Sequence, residues 1–323
     1  MEKVKIGIVG TGYIGNVHAR IFSRDERAEI AALYDIKTER AERTAKSVGG
    51  KVCRSREELF ENCDAVLVCT PNKTHTEIAL QAVQAGKHVF CEKPFSIGLD
   101  DAKKLLEIAQ SGKGVFQVGH NRRYAPVYTK LKELLSQDKA HSAHIKMNRG
   151  ELKNPVWTGD VNVTGGFLYE TTIHLLDMMR FQFGEIAELV AYGSQHEYPE
   201  LDEFSVIFKF KSGFHCTFAS SSDASWHFPF ERIEIFAHHR TIMTQEMEHL
   251  IDSRGMDANY ETHSWAMTEK EERWGYVQED IAFIDAIING IAPPVTAFDG
   301  YKSVELVESI YRAIRTGERI KFE

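Results

Sequence analysis

Val4-Lys5-Ile6-Gly7-Ile8-Val9 runs without a break into Gly10-Thr11-Gly12-Tyr13-Ile14-Gly15, and apolar residues at helical spacing, Val17, Ala19 and Ile21, follow. Strand, G-x-G-x-x-G turn and helix in that order leave a chain little freedom. The first glycine permits the tight turn, the second lets backbone approach a pyrophosphate, and the third lets helix and strand pack closely. The next strand-like run, Ile30-Ala31-Ala32-Leu33-Tyr34, ends at Asp35, twenty residues after Gly15. A carboxylate at that distance bonds a ribose 2′-hydroxyl and repels a 2′-phosphate, so the expected cofactor is NAD, with Thr11, Tyr13 and Ile14 beside the glycines. Lys37, Thr38 and Arg40 leave use of NADP open.

Further strands follow at βα spacing: Ala65 to Cys69, Val89 to Cys91 and Gly114 to Val118, with helical patterns at Glu77 to Ala85 and Asp100 to Gln110. This alternation predicts a doubly wound parallel sheet, the Rossmann arrangement, over residues 1–121. Ligands of such sheets sit beyond the carboxyl ends of the strands, so the strand exits carry the candidate residues. Thr70-Pro71-Asn72 could line the dinucleotide. His75 is balanced between capping the next helix and touching a ligand. In Gly86-Lys87-His88-Val89-Phe90-Cys91-Glu92-Lys93-Pro94 an apolar run breaks into two opposite charges and a proline, whose fixed φ would aim Lys93 beside the cofactor and substrate. Asn121 and Arg123 follow the last strand as candidate ligands of substrate hydroxyls.

From residue 122 the pattern changes to a helix, Pro126 to Leu135, and then strands. Phe204, Val206, Phe208 and Phe210 alternate with Ser205, Ile207 and Lys209, and Phe214, Cys216 and Phe218 repeat the alternation across Lys211-Ser212-Gly213, an antiparallel hairpin. Arg232 to Phe236 and Ala187 to Gly193 add strands, so residues 122–323 should form a second α/β domain with a large, mixed, mostly antiparallel open sheet. The sheet face bearing Ile207 and Phe236 is apolar enough to want a partner. Helices are expected from Gln278 to Asn289 and from Ser303 to Arg315.

The chemistry of this half lies in Gly165-Gly166-Phe167-Leu168-Tyr169-Glu170-Thr171-Thr172-Ile173-His174-Leu175-Leu176-Asp177. Read as a helix from about Tyr169, it puts Glu170, His174 and Asp177 on one face. A carboxylate one turn from an imidazole can orient it and favour its charged form, as a general base near neutrality needs. The glycine pair would let backbone come close to cofactor or substrate. Asp177 reads equally well as the partner of Arg180. Trp157 and Trp226 could stack on a sugar ring, and Asn148, Arg149 and Asn154 could join Asn121 and Arg123 in bonding its hydroxyls.

Gly10-x-Gly12-x-x-Gly15, Thr70-Pro71-Asn72-x-x-His75, Gly86-Lys87-His88-Val89 with Glu92-Lys93-Pro94, and Gly119-x-Asn121-Arg122-Arg123 occur in that order. Over essentially its whole length the chain resembles the glucose-fructose oxidoreductase/inositol dehydrogenase/rhizopine-catabolism family of NAD(P)-dependent enzymes. The resemblance implies oxidation of a secondary hydroxyl of a sugar or inositol-like polyol to a ketone, with hydride passing to NAD. It implies that Lys93 contacts the nicotinamide ribose and the reacting hydroxyl, that the peptide before Pro94 is cis, and that His174 is the catalytic base. It also implies subunits paired through the open sheet face, as a homodimer or homotetramer. Many sugar and inositol dehydrogenases carry aspartate four residues before that histidine, whereas this chain has Glu170, one methylene longer. Substrate and hydroxyl position stay open on that account. The alternatives are a redox-neutral NAD-dependent glycosidase and a non-catalytic dinucleotide-sensing regulator.

Composition sets the remaining bounds. The 323 residues carry 39 lysines and arginines against 47 acids, a net charge of -8, which gives a nucleic-acid surface no support. No run of about eighteen apolar residues occurs and apolar sequence begins at Val4, so neither membrane span nor signal peptide is expected, and the location expected is cytoplasmic. Cys53, Cys63, Cys69, Cys91 and Cys216 form no CxxC pair and read as buried, reduced thiols. His141 with His144, and His238 with His239, lack the convergent company a metal site needs, so no metal is expected.

Overall fold

The computed structural model describes residues 3–149, 156–225, 230–256 and 259–322. Two compact units are present: residues 1–121 with 276–304, and residues 122–275 with 305–323. The contiguous second domain expected from sequence is corrected in one respect, because the helix Tyr276–Asn289 belongs to the first unit. Its Phe283 and Ile284 complete the apolar core formed by Ile6, Ile8, Leu67 and Phe90, and burial of that stripe decides where the helix packs.

The first unit is built on six parallel strands: β1 (Val4–Val9), β2 (Ala28–Tyr34), β3 (Lys51–Val52), β4 (Ala65–Val68), β5 (His88–Glu92) and β6 (Phe116–Gly119), in the order β3-β2-β1-β4-β5-β6. The helices Tyr13–Phe22, Thr38–Val48, His75–Gln84 and Leu99–Ser111 lie along the connections. β4 is buried throughout, as a central parallel strand covered on both faces must be. Strand order reverses between β1 and β4. Their carboxyl ends are therefore the switch point where a doubly wound sheet takes its ligand, and the Gly10 turn and Thr70 stand at those ends.

The second unit holds nine strands: β7 (Ser142–Asn148), β8 (Ile186–Ser194), β9 (Glu203–Phe210), β10 (His215–Ser221), β11 (Glu231–Ala237), β12 (Arg240–Gln245), β13 (His249–Arg254), β14 (Tyr260–Ser264) and β15 (Ile320–Lys321). Their order is β14-β13-β12-β11-β7-β10-β9-β8-β15, with β7 and β10 parallel and the other described pairs antiparallel. Phe204, Val206, Phe208 and Phe210 point to the buried face, while Ile207 is 55% exposed on the other. The expected mixed, mostly antiparallel sheet is thus present, longer by β7, β12 to β14 and β15 than the hydrophobic pattern suggested. The helix Pro126–Leu135 has the bounds expected from sequence, opened by a proline whose missing N–H costs nothing at a first turn. Among the described residues no helix is long and apolar enough to cross a membrane.

Candidate active site

The dinucleotide turn of the first unit is shaped by contacts that leave no room for side chains. Gly10 sits at φ +92°, and a Cβ there would lie 2.5 Å from the Cys69 carbonyl; one on Gly15 would lie 2.0 Å from the Gly10 carbonyl. Gly12 differs. A Cβ on it would meet nothing within 4 Å, so the open space faces outward, where a pyrophosphate would lie. Gly12 caps the helix Tyr13–Phe22 with no side-chain bond to its first N–H groups, which leaves them for an anion. Asn16, which sequence reading overlooked, pins the turn by donating from Nδ2 to the Thr11 and Gly12 carbonyls at 2.7 and 2.8 Å.

Asp35 is buried at the end of β2. Its Oδ2 accepts from the Thr11 N–H at 2.9 Å and from Thr11 Oγ1 at 3.2 Å, and its Oδ1 accepts from the Lys37 N–H at 2.9 Å. The carboxylate is held beside the glycine turn, and these residues fit an NAD. Asp35→Ser is expected to weaken NAD binding about ten- to a hundredfold, the scale of a hydrogen bond to a charged group, and to narrow the preference over NADP. Titration of the purified protein with both dinucleotides checks this; unchanged NAD affinity would remove Asp35 from the site.

At the exit of β4, Thr70 and Pro71 keep partial exposure and Asn72 is buried. His75 is buried with both ring nitrogens on main-chain carbonyls, Nδ1 with Pro94 at 2.8 Å and Nε2 with Thr70 at 2.7 Å. Two carbonyls call for two N–H groups, but burial pushes its pKa down, and a neutral ring serves only one of them. His75 therefore ties two loops together. Glu92 also bonds inward, with Oε1 2.9 Å from His18 Nε2 and Oε2 accepting from the Lys93 N–H at 3.0 Å. The Lys93–Pro94 peptide is cis. From Val89 to Ser96, Lys93 is the single residue with partial exposure.

In the second unit the run after the glycine pair begins as one π-type stretch, Leu168–Thr172, and continues as the α-helix Ile173–Phe183. From Gly166 to Gln182, only Glu170, His174 and Phe181 escape full burial. Thr172 Oγ1 meets Ser220 Oγ at 2.8 Å, which fastens the start of this helix to β10. The glycine pair makes its close approach to protein atoms: a Cβ on Gly166, at φ +104°, would lie 2.3 Å from Glu200 Oε2 and 2.7 Å from the Tyr311 hydroxyl. Burial, with Asp202 nearby, pushes the Glu200 carboxyl up to about 7.

Asp177 and Arg123 form a buried bidentate pair, Nε to Oδ2 at 2.7 Å and Nη2 to Oδ1 at 2.6 Å. Asp177 thus pairs with Arg123, and Arg180 pairs with Glu185. Asn121 is buried and Trp157 is exposed in the turn Val156–Gly159. Trp226 and Asn154 lie outside the described residues. Burial raises the thiols of Cys63, Cys69, Cys91 and Cys216, which fits unreactive core sulfur.

Residues 4–120 match the Gfo/Idh/MocA oxidoreductase family in its NAD-binding Rossmann fold, and residues 132–322 match the C-terminal alpha/beta domain of the same family. The chain belongs to the Gfo/Idh/MocA family. It is accordingly an oxidoreductase that uses NAD. It is 28% identical over 334 residues to the myo-inositol 2-dehydrogenase of Thermotoga maritima, covering 99% of each chain. It is 28% identical over 336 residues to the inositol 2-dehydrogenase of Rhizobium meliloti, covering 98% of each. The solved structure of GenD2 from gentamicin A biosynthesis, in complex with NAD, shares the fold with a TM-score of 0.86 at 22% identity, over 100% of this chain and 97% of that one.

Proposed function

We propose that this Gfo/Idh/MocA enzyme oxidises a secondary hydroxyl of a sugar or inositol-like polyol to a ketone. The observation that carries the reading is selective exposure: Lys93 within a buried strand exit, and Glu170 with His174 as the polar side chains left partly accessible between Gly166 and Gln182. Likeness to inositol dehydrogenases along nearly the whole chain supports the substrate class. Bound NAD supplies the hydride acceptor, which no side chain can. His174 removes the hydroxyl proton, Glu170 orients its imidazole, and Lys93 stabilises the negative charge that develops on the oxygen. Gly12 and the helix behind it hold the pyrophosphate, and Asp35 holds the ribose. The proposed reaction uses no metal.

Reduced-nicotinamide absorbance with NAD, read across inositols, aldoses, aldonic acids and nucleotide sugars, tests the reading. NADH is expected with one polyol class. NAD that stays bound, is released intact on denaturation and gives no net NADH with any of them would move the reading to the redox-neutral glycosidase or the sensor.

We also propose a homodimer or homotetramer in the cytoplasm, joined through the open face of the nine-stranded sheet. Tyr192 (73% exposed), Val190 and Ile207 stand on that face, beside His144, Thr217, Arg232 and Glu234. Exposed apolar side chains set among charged and polar ones on a sheet face suit a second copy of the same surface. Ile207→Glu is expected to shift the sedimentation coefficient towards the monomer; an unchanged oligomer would place the interface elsewhere.

A further inference from the structure

We propose that His18 is a positioning residue for hydride transfer: seated on Asp280, it grips the Glu92 carboxylate, which holds the main chain of Lys93 and so fixes where the Lys93 side chain emerges. The inference rests on the reading of Lys93 as a catalytic residue.

The geometry is a line of three buried side chains ending at the lysine. His18 Nδ1 lies 2.8 and 3.0 Å from the two Asp280 oxygens, and its Nε2 lies 2.9 Å from Glu92 Oε1. The other Glu92 oxygen accepts the Lys93 N–H at 3.0 Å. Gly119 on β6 makes room for this carboxylate, since a Cβ there would come within 3.1 Å of Glu92 Oε2. On the far side of the lysine, His75 Nδ1 holds the Pro94 carbonyl. The Ser96 hydroxyl beyond it accepts from Thr76 Oγ1 at 2.8 Å. The main chain on both sides of Lys93 is thus anchored, and the anchor on its amino side depends on His18.

An ordinary core histidine needs one polar partner, whereas this one has a carboxylate on each nitrogen, and both bonds are made at once only by the imidazolium. Burial alone would push His18 down, but Asp280 and Glu92 outweigh it and hold the ring well above its ordinary 6.5. Burial likewise works to raise Glu92, yet the His18 cation and Lys93 keep it below 4.5. Burial pushes Asp280 up to about 6, so it is ionised at neutral pH.

Other groups face the network from each packed element. Glu279 and Tyr276 come from the helix of Asp280, Cys69 from the exit of β4, Cys91 from β5 and His75 from the helix after β4. Because the folded pKa of His18 is raised, its stabilisation is complete below pH 6.5, declines above it, and is gone once pH passes the folded value. Glu92, being depressed, keeps its full contribution above pH 4.5 and loses it as pH falls through its folded value.

Full-length His18→Asn, Glu92→Gln and Asp280→Asn proteins test the inference in two assays. The first is turnover with NAD on the polyol and sugar panel, with His18→Asn and Glu92→Gln expected to lose about tenfold or more in kcat while both KM values stay within about threefold. Asp280→Asn keeps an acceptor for Nδ1–H but removes a charge, so the alkaline fall of kcat should move to lower pH. The second is hydrogen exchange at the Lys93 amide, expected to speed about tenfold in His18→Asn once its Glu92 partner is no longer held. Unchanged kcat, pH profile and exchange, with Lys93→Met inactive, would overturn the inference and leave the reading of Lys93 standing. Losses that follow falling Tm and lost NAD binding, with no pH shift, would overturn it as well, by reducing His18 to a fold residue. An active Lys93→Met would remove the reading beneath it, whatever the exchange shows.

Discussion

Lys93→Met is expected to lower kcat about a hundred- to a thousandfold, the cost of removing one charge-stabilising donor from an alcohol-to-ketone transition state. Methionine has similar length and flexibility and no charge, so the buried frame of β5 and Pro94 should tolerate it. NAD binding should fall by less than about tenfold, because the glycine turn and Asp35 are untouched and a lysine contact at the ribose is one among many. The loss therefore belongs in kcat. Steady-state kinetics with a parallel NAD titration separates the two, and retained turnover would exclude Lys93 from the chemistry.

His174→Ala is expected to cost about a hundred- to ten-thousandfold, the range of a general base. Its signature is in the pH dependence. Without an internal base, hydroxide or water must take the proton, so the residual rate should rise steadily with pH where the parent enzyme levels off. Glu170→Gln should cost less, since it leaves the base in place and removes only its orienting charge. A His174→Ala enzyme with the parent's rate and profile would assign the base elsewhere.

The first unit was legible because each of its signals is local. Three glycines, an acid at fixed distance and apolar runs at βα spacing depend on neighbours a few residues away, and β1 matches its expected bounds from Val4 to Val9. The alternation of Phe204 to Phe210 announced β9 for the same reason. What sequence missed depends on residues far apart. His18 looks like one more position on an amphipathic helix until Asp280, 262 residues later, is brought against it. A signal was present in Glu279-Asp280, two acids on a helix whose neighbours Phe283 and Ile284 are core, but it names no partner. The Asp177–Arg123 pair was hidden because Arg123 stands 54 positions earlier. The inward bonds of Glu92 and His75 were hidden too, since their partners His18 and Pro94 stand 74 and 19 positions away.

The most direct measurement follows deuterium from the reacting carbinol carbon of the active polyol. The account predicts one deuterium on the nicotinamide ring of each NADH released, with ketone and NADH formed in equal amounts. Product appearing while the cofactor remains NAD, with no label leaving on it, would contradict the account.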